Sequence, residues 1–355
     1  LCKAATLAET AEWLSLKRRR NLPGHVEAHQ KDVKNALRIE DLLRHVATAT
    51  PEAIRMIKLT DKAQHWVDGY SLMRNRQVKV PLEYIHGISG TNGLAAGNRI
   101  EEAVAHGVHE VFERRACITV LKQKLVVPTI AAETIESRVI RNQIAFLESH
   151  DIEMTIKDLS FGGALPCIGV YFVNPRVPAK YQRHHMFKVV SAFDREDALA
   201  RCFAEYAQGR TFGKSSRPPE HEYERLLCAG DAADNFLSLF WLGYVPSRHA
   251  EFLKKGERIA FDKGTRYPDY LDDIEAAKGI CGKLGKDFVA VDMTDPAIRF
   301  PVVQAIVPSY SDILPYHPAS STALFTGWTR EMALGETRRA RGGEFRRSQI
   351  VRNTC

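Results

Sequence analysis

Four side chains in residues 87–116, GISGTNGLAAGNRIEEAVAHGVHEVFERRA, are the first candidates for chemistry. Small, flexible residues lead into an apolar-periodic run, and Glu102, His106, Glu110 and Glu113 are set among its apolar positions. Glu110 and Glu113 are three residues apart, so on a helix they project from one face, with His106 one turn before Glu110. Val104, Val108, Val111 and Phe112 demand burial on the same helix. Two like charges in a partly covered setting are unfavourable unless something positive sits against them. A hard cation is one solution, because Mg2+ takes carboxylate oxygens and is usually shared with substrate phosphates. Pairing with Arg114 and Arg115 is the other.

A second run, AFDREDALARCFAEYAQGR at 192–210, has the same character. Ala198, Leu199, Cys202, Phe203 and Tyr206 form an apolar stripe. Arg201, Glu205 and Gln208 fall on a shared face at spacings of four and three. Glu205 would be a third carboxylate for a cation, or a partner for Arg201. Asp194 is placed to cap this helix with Asp197 three residues on, and Asn98 to cap the first with Glu101 in capping-box spacing.

Other candidates are weaker. GRTFGKS at 209–215 has three residues between its glycines where a phosphate loop needs four, and it follows a helix rather than a strand. Adjacent His184 and His185, and His221 nearby, are more simply solvent-facing than metal-ligating. No Ser-His-Asp arrangement is readable without spatial information.

The elements that must position these residues are partly visible. Residues 1–65 read as helices. WVDGYSLMRNRQVKVPLEYI (66–85) reads as a hairpin, with strands near Trp66–Tyr70 and Val78–Pro81 and a turn at Arg74–Arg76. A weak internal echo follows. FLESHDIEMTIKDLSFGGALPCIGVYF and ICGKLGKDFVAVDMTDPAIRFPVVQAIVP each run helix, strand, Asp, loop, Pro, apolar strand, with Asp158 and Pro166 matched by Asp292 and Pro301. The fold class is therefore α+β, a mixed sheet with helices packed against it. Residues 214–270 read as a loop-rich insertion.

Composition bounds the function. The 355 residues are 45% hydrophobic and 26% charged, ordinary for a globular protein with a sizeable core. The net charge of +7 comes largely from a C-terminal stretch holding Arg338, Arg339, Arg341, Arg346, Arg347 and Arg352. No basic patch interleaved with aromatics accompanies it, so nucleic acid is not the expected partner. The longest apolar runs are near ten residues, against about 20 for a membrane span. Seven dispersed cysteines without zinc-like spacing indicate reduced thiols and a cytoplasmic location. The chain begins with Leu rather than Met, so its natural N-terminus is expected to lie upstream.

TNGLAAGNRIEEAVAHGVHEVFER resembles the signature of the YcaO superfamily, Ser/Thr-Asn-Gly-Leu-Ala-Ala-Gly followed by a helix with two glutamates before Arg. ALARCFAEYAQGR is similar to the second signature, and VAVDMTDPAIRFPVVQAIVP to a later Asp-Leu-Thr and Pro-Val-Val segment. The 66–85 hairpin resembles the strand pair that precedes the first signature. The four occur in the expected order, over roughly residues 60 to 312.

The resemblance implies a YcaO-type fold whose ATP site has no Walker loop. It implies ATP- and Mg2+-dependent phosphorylation of a peptide backbone amide oxygen, which a side chain, sulfide or amine then replaces. Carried over, Glu110, Glu113 and Glu205 would be catalytic Mg2+ ligands. Gln208 would support the phosphates, with Arg114, Arg201, Arg210 and His106 beside them and Asn92 at the nucleotide. Members often carry Arg where this chain has Gln304, with Arg299 a potential substitute. Further carboxylates expected after the second helix fall near Arg217, Glu220 and Glu222. Azoline-forming members often end in a Pro-x-Pro-x-Pro tail, and this chain has no proline after Pro318. Thioamide formation is therefore the expected reaction, with an azoline-forming cyclodehydratase or a non-catalytic binding protein as alternatives. The expected organisation is a helical extension (1–65), a catalytic domain (66–312) and a basic tail (313–355). The expected assembly is a homodimer acting on a peptide or protein, with a TfuA-like sulfur-supplying or leader-binding partner.

Overall fold

The computed structural model of the protein describes residues 2–17, 22–43, 63–179, 181–208, 220–228, 232–241 and 243–312. The chain divides into two compact units, and the division falls inside one long helix. The first unit takes residues up to Val111 and from Tyr270 onward; the second is Phe112–Asp269.

The first unit contains α1 (Cys2–Lys17), β1 (Val26–Ala28), α2 (Ile39–Leu43), β2 (Gln64–Ser71), β3 (Arg76–Pro81), α3 (Leu82–Ser89), β4 (Leu94–Ala96), the first half of α4 (Ile100–Gln123), and later α9 (Tyr270–Lys283), β10 (Val289–Asp292) and β11 (Val302–Ile306). Its sheet runs β1-β2-β10-β11-β4, with β3 on the other edge of β2, and every pairing is antiparallel. The expected hairpin is present: Trp66 faces Pro81 and Ser71 faces Arg76, and Asn75 takes the left-handed conformation (φ 50°) that the tight turn needs. Trp66, Val67, Val80, Val289, Val291 and Val302 form the core of this sheet. Residues 1–65, read as helical, also supply a strand. β1 pairs with β2, and the Trp66 indole donates to the Ala28 carbonyl at 3.0 Å.

The second unit contains β5 (Thr129–Ile130), α5 (Arg138–Glu148), β6 (Glu153–Asp158), β7 (Cys167–Val173), β8 (His185–Ser191), α6 (Arg195–Gln208), α7 (Glu220–Leu227), α8 (Ala232–Trp241) and β9 (Arg258–Ile259). Its sheet order is β8-β7-β6-β5-β9, antiparallel except for β5 with β9. β7 is buried at every residue, as a strand covered on both faces must be. α6 packs on β7 and β8, stacking Tyr206 on Phe172 at 4.1 Å between ring centroids.

The echo in the sequence corresponds to real elements, α5-β6-β7 and α9-β10-β11, but these lie in different sheets. The expected mixed sheet with helices is thus divided between two sheets. The stretch read as a loop-rich insertion holds two helices, α7 and α8, and a 3-10 helix over Ser247–Lys254. Its Pro, His and charged residues disguised the apolar periodicity of short helices. Asp194 caps α6 as read, accepting from the backbone N–H groups of Glu196 and Asp197. At α4 the reading is one residue off. Helix hydrogen bonding begins at the Arg99 carbonyl, so Glu102, not Glu101, is the third helical residue and accepts the Asn98 N–H at 2.6 Å. Among the described residues no helix is long and apolar enough to cross a membrane.

Candidate functional site

Within the first unit, the glycine-rich loop is held from three directions. Gly93 has φ 85°, and a Cβ there would lie 2.2 Å from the Ala305 carbonyl oxygen, so only glycine fits. Its carbonyl accepts from Ala305 N–H at 2.7 Å. Its own N–H donates to Glu110 Oε2 at 3.0 Å. Gly107, one turn before Val111 on α4, lets the helix approach: a Cβ there would lie 2.7 Å from the Gly93 carbonyl oxygen. Asn92 is buried and donates from Nδ2 to the Ser311 carbonyl at 2.9 Å. Fully buried Gln304 donates from Nε2 to the Asn92 carbonyl at 2.6 Å, so its amide ties β11 to the loop. Arg299, the potential substitute for an arginine at 304, is exposed in the loop before β11 with φ 57°.

Glu12 on α1 was not read as a site residue. Its Oε1 accepts the Ala96 N–H at 2.9 Å. Burial raises its carboxyl pKa, the Ala96 bond opposes that, and the Glu110 charge adds to the rise. Tertiary packing alone brings α1 there. His106 is exposed and meets Tyr270 edge-on, 6.0 Å between ring centroids. Tyr270 in turn donates to Glu102 at 3.1 Å. The buried histidine of this helix is His109, which bonds Asp273 at 2.7 Å.

Within the second unit, the charges of Glu113 on α4 and Glu205 on α6 both bear on the buried Cys202 thiol. Burial pushes the Cys202 pKa well up; Glu205 and Glu113 push it further, while Arg201 and Lys188 oppose them. Burial likewise pushes the Cys117 thiol up to about 12, with Arg114 and Lys188 lowering and Glu113 raising it. These thiols are therefore protonated and not nucleophilic. Glu205 pairs with Lys188 at 3.7 Å, not with Arg201, which reaches Asp197 at 4.0 Å. Lys188 lies in the run HMFKVVS, whose only sequence signal is a charge inside a β-branched strand. Gln208 is exposed at the end of α6.

Arg210, Lys214 and Arg217 lie outside the described residues, as does the side chain of Glu220. Glu222 is engaged by Arg225 at 2.6 Å. His184 Nδ1 meets the Val177 carbonyl and His185 Nε2 the Val245 carbonyl, and His185 is buried. His185 is thus not solvent-facing as read, and a backbone carbonyl takes one nitrogen of each ring.

The carboxylates fit a hard cation in donor type. Among the described residues no three His, Cys, Asp or Glu side chains are gathered to hold a metal alone.

The family described as YcaO cyclodehydratase, ATP- and Mg2+-binding, matches residues 2–311. The ribosomal protein S12 methylthiotransferase accessory factor YcaO of Escherichia coli K12 is 31% identical over 140 residues, 38% of this chain and 22% of that protein. The chain therefore spans about a fifth of the length of that curated relative. Among solved structures, a heterocyclase in complex with substrate and cofactor has a TM-score of 0.63 at 18% identity, covering 86% of this chain and 42% of its own. The E. coli microcin synthetase McbBCD complex with pro-MccB17 bound has a TM-score of 0.51 at 12% identity, covering 84% and 77%. These two likenesses concern the fold.

Proposed function

The chain belongs to the YcaO family, and from that premise we propose that it uses ATP and Mg2+ to activate a backbone amide of a peptide or protein, most fittingly for thioamide formation. The observation that carries the reading is the Lys188–Glu205 pair at 3.7 Å in the second unit; in the first unit, separately, Glu110 is joined to the glycine-rich loop. Such a set of carboxylates and cations in partly buried positions suits a metal-bound polyphosphate.

In this reading Glu110, Glu113 and Glu205 hold Mg2+, which when bound neutralises phosphate charge. Asn92 and the loop to Gly93 present backbone to the nucleotide, and Gln304 fixes that backbone. Arg114, Arg201, Gln208 and Arg210 serve the phosphates, and His106 lies at the outer face of α4. Bound ATP would supply a phosphoryl group to the substrate amide oxygen, with ADP as leaving group; hydrosulfide could then replace that oxygen at the amide carbon, the oxygen leaving as phosphate and the hydrosulfide proton passing to it. The chain contributes positioning and charge neutralisation rather than a covalent intermediate.

Thioamide formation calls for a sulfur donor, so a TfuA-like partner, or a leader-binding protein, belongs to this reading together with a homodimer. That the E. coli relative is an accessory factor of a methylthiotransferase agrees with sulfur chemistry. The heterocyclase fold likeness favours a second reading, azoline formation. Mass spectrometry of the modified peptide separates them: oxygen-to-sulfur exchange adds about 16 Da and cyclodehydration removes about 18 Da. Calorimetry with Mg·ATP tests the common premise, and an absence of nucleotide binding would leave only a non-catalytic role.

A further inference from the structure

Lys188 is a charged residue in a strand where charge is costly. β8 is an edge strand, with Lys188 opposite Val170 on β7 and followed by Val189, Val190 and Ser191, all buried. A lysine stem tolerates this only with its ammonium paired or solvated. Its side chain is 27% exposed, and Nζ lies 3.7 Å from Glu205 Oε2, itself 34% exposed. At that separation the two attract without a hydrogen bond. The same ammonium acts on Cys117 of α4 and Cys202 of α6, two of the thiols that also sense Glu113. One flexible cation thus pairs with the carboxylate of α6 and acts on thiols of both helices.

Arg114 and Arg201 act with Lys188 on these thiols, against Glu113 and Glu205, so cations from α4, α6 and β8 stand with the carboxylates. A divalent cation on the carboxylates would leave those side-chain cations without their counter-charge, a setting that favours phosphate oxygens.

We infer that Lys188 is a phosphate-binding residue: its ammonium covers Glu205 when the site is empty and turns to a phosphate oxygen of ATP when a divalent cation takes that carboxylate. The inference rests on the nucleotide reading above and adds to it a residue that neither the sequence signatures nor the loop geometry supplied. Lysine suits the exchange because its ammonium is a point charge on a rotatable four-carbon stem.

The test is calorimetry on the full chain with Mg·ATP and with Mg·AMP, for wild type, Lys188→Met and Lys188→Arg, with melting curves of each ligand-free protein. Lys188→Met should weaken ATP binding about tenfold or more, the scale of a lost charge-assisted hydrogen bond, while AMP binding changes less than about twofold. Lys188→Arg should recover most of the loss. Equal losses for ATP and AMP, or an unchanged ATP affinity, would overturn the role while leaving the nucleotide reading standing. Wild type that binds no Mg·ATP overturns both. If Lys188→Met does not fold, the ATP-to-AMP affinity ratio of Lys188→Gln takes its place with the same criteria.

Discussion

The Gly93 N–H and the Glu110 carboxylate are joined by a 3.0 Å hydrogen bond, so the glycine-rich loop and the long helix share a single acceptor. Glu110→Gln keeps that acceptor as an amide oxygen and removes the charge. It also removes the repulsion felt by Glu12. The ligand-free melting temperature should therefore hold or rise, while Mg·ATP affinity falls by about tenfold or more. Wild-type ATP turnover by this variant would end the assignment of Glu110 as a metal ligand.

Gly93→Ala should be among the most destabilising substitutions in the first unit. The methyl group would collide with the Ala305 carbonyl oxygen, and φ 85° is strained for alanine. A loss of about 2–4 kcal/mol is expected from strain plus displaced backbone. Gly162→Ala provides the contrast. It has φ 73° but open space around it, so only the conformational cost of about 1 kcal/mol remains. Urea titrations of the two variants should differ accordingly, and equal midpoints would contradict the tight approach.

Glu113→Gln and Glu205→Gln should each weaken Mg·ATP binding, and the double variant should lose little more than the worse single one, because both residues serve one cation. Local arginine pairing would instead give modest, additive losses of stability, about 0.5 kcal/mol each, with ATP binding untouched. Arg201 reaches Asp197 and Glu205 lies 3.7 Å from Lys188, so local pairing of Glu205 would run to Lys188 rather than to Arg201. Melting curves with and without Mg·ATP measure the coupling.

Lys157 gives a pH dependence of known sign. It is fully buried, donating to Thr129 Oγ1 at 2.8 Å and to the Lys255 carbonyl. Burial lowers its pKa from 10.5 to about 8. Between those values the unfolded chain holds a proton that the folded one lacks, so stability rises with pH across that window and is flat outside it. The gain from this residue is about 3 kcal/mol at full development. Lys157→Met should flatten the rise, as read by urea unfolding between pH 8 and 10, and an unchanged slope would contradict the shift.

What was legible in the sequence was what local chemistry dictates. The 66–81 hairpin carries alternation and a turn residue that tolerates positive φ. α6 carries its own cap in Asp194. α4 and its carboxylates follow from helical spacing. The missed features all depend on partners far along the chain. β1 has three residues and exists because β2 offers an edge; no three-residue stretch announces that. Glu12 and Lys188 gain meaning only from Ala96 and Glu205 beside them. His184 and His185 looked available because their carbonyl acceptors, at Val177 and Val245, are set by loop geometry.

The discontinuous first unit fixes an order of events during synthesis. Ser71 at the end of β2 finds its partner Asp287 only 216 residues later, and Asn92 waits 219 residues for Ser311. At ~5–20 residues per second, that is roughly 10–45 s in which part of the β2 edge is without β10. The second unit is contiguous and closes its sheet within that interval. Nascent chains arrested before β10 should therefore protect Phe172 and Tyr206 from modification while leaving Trp66 reactive, and the waiting β2 edge is where a ribosome-bound chaperone has most to cover.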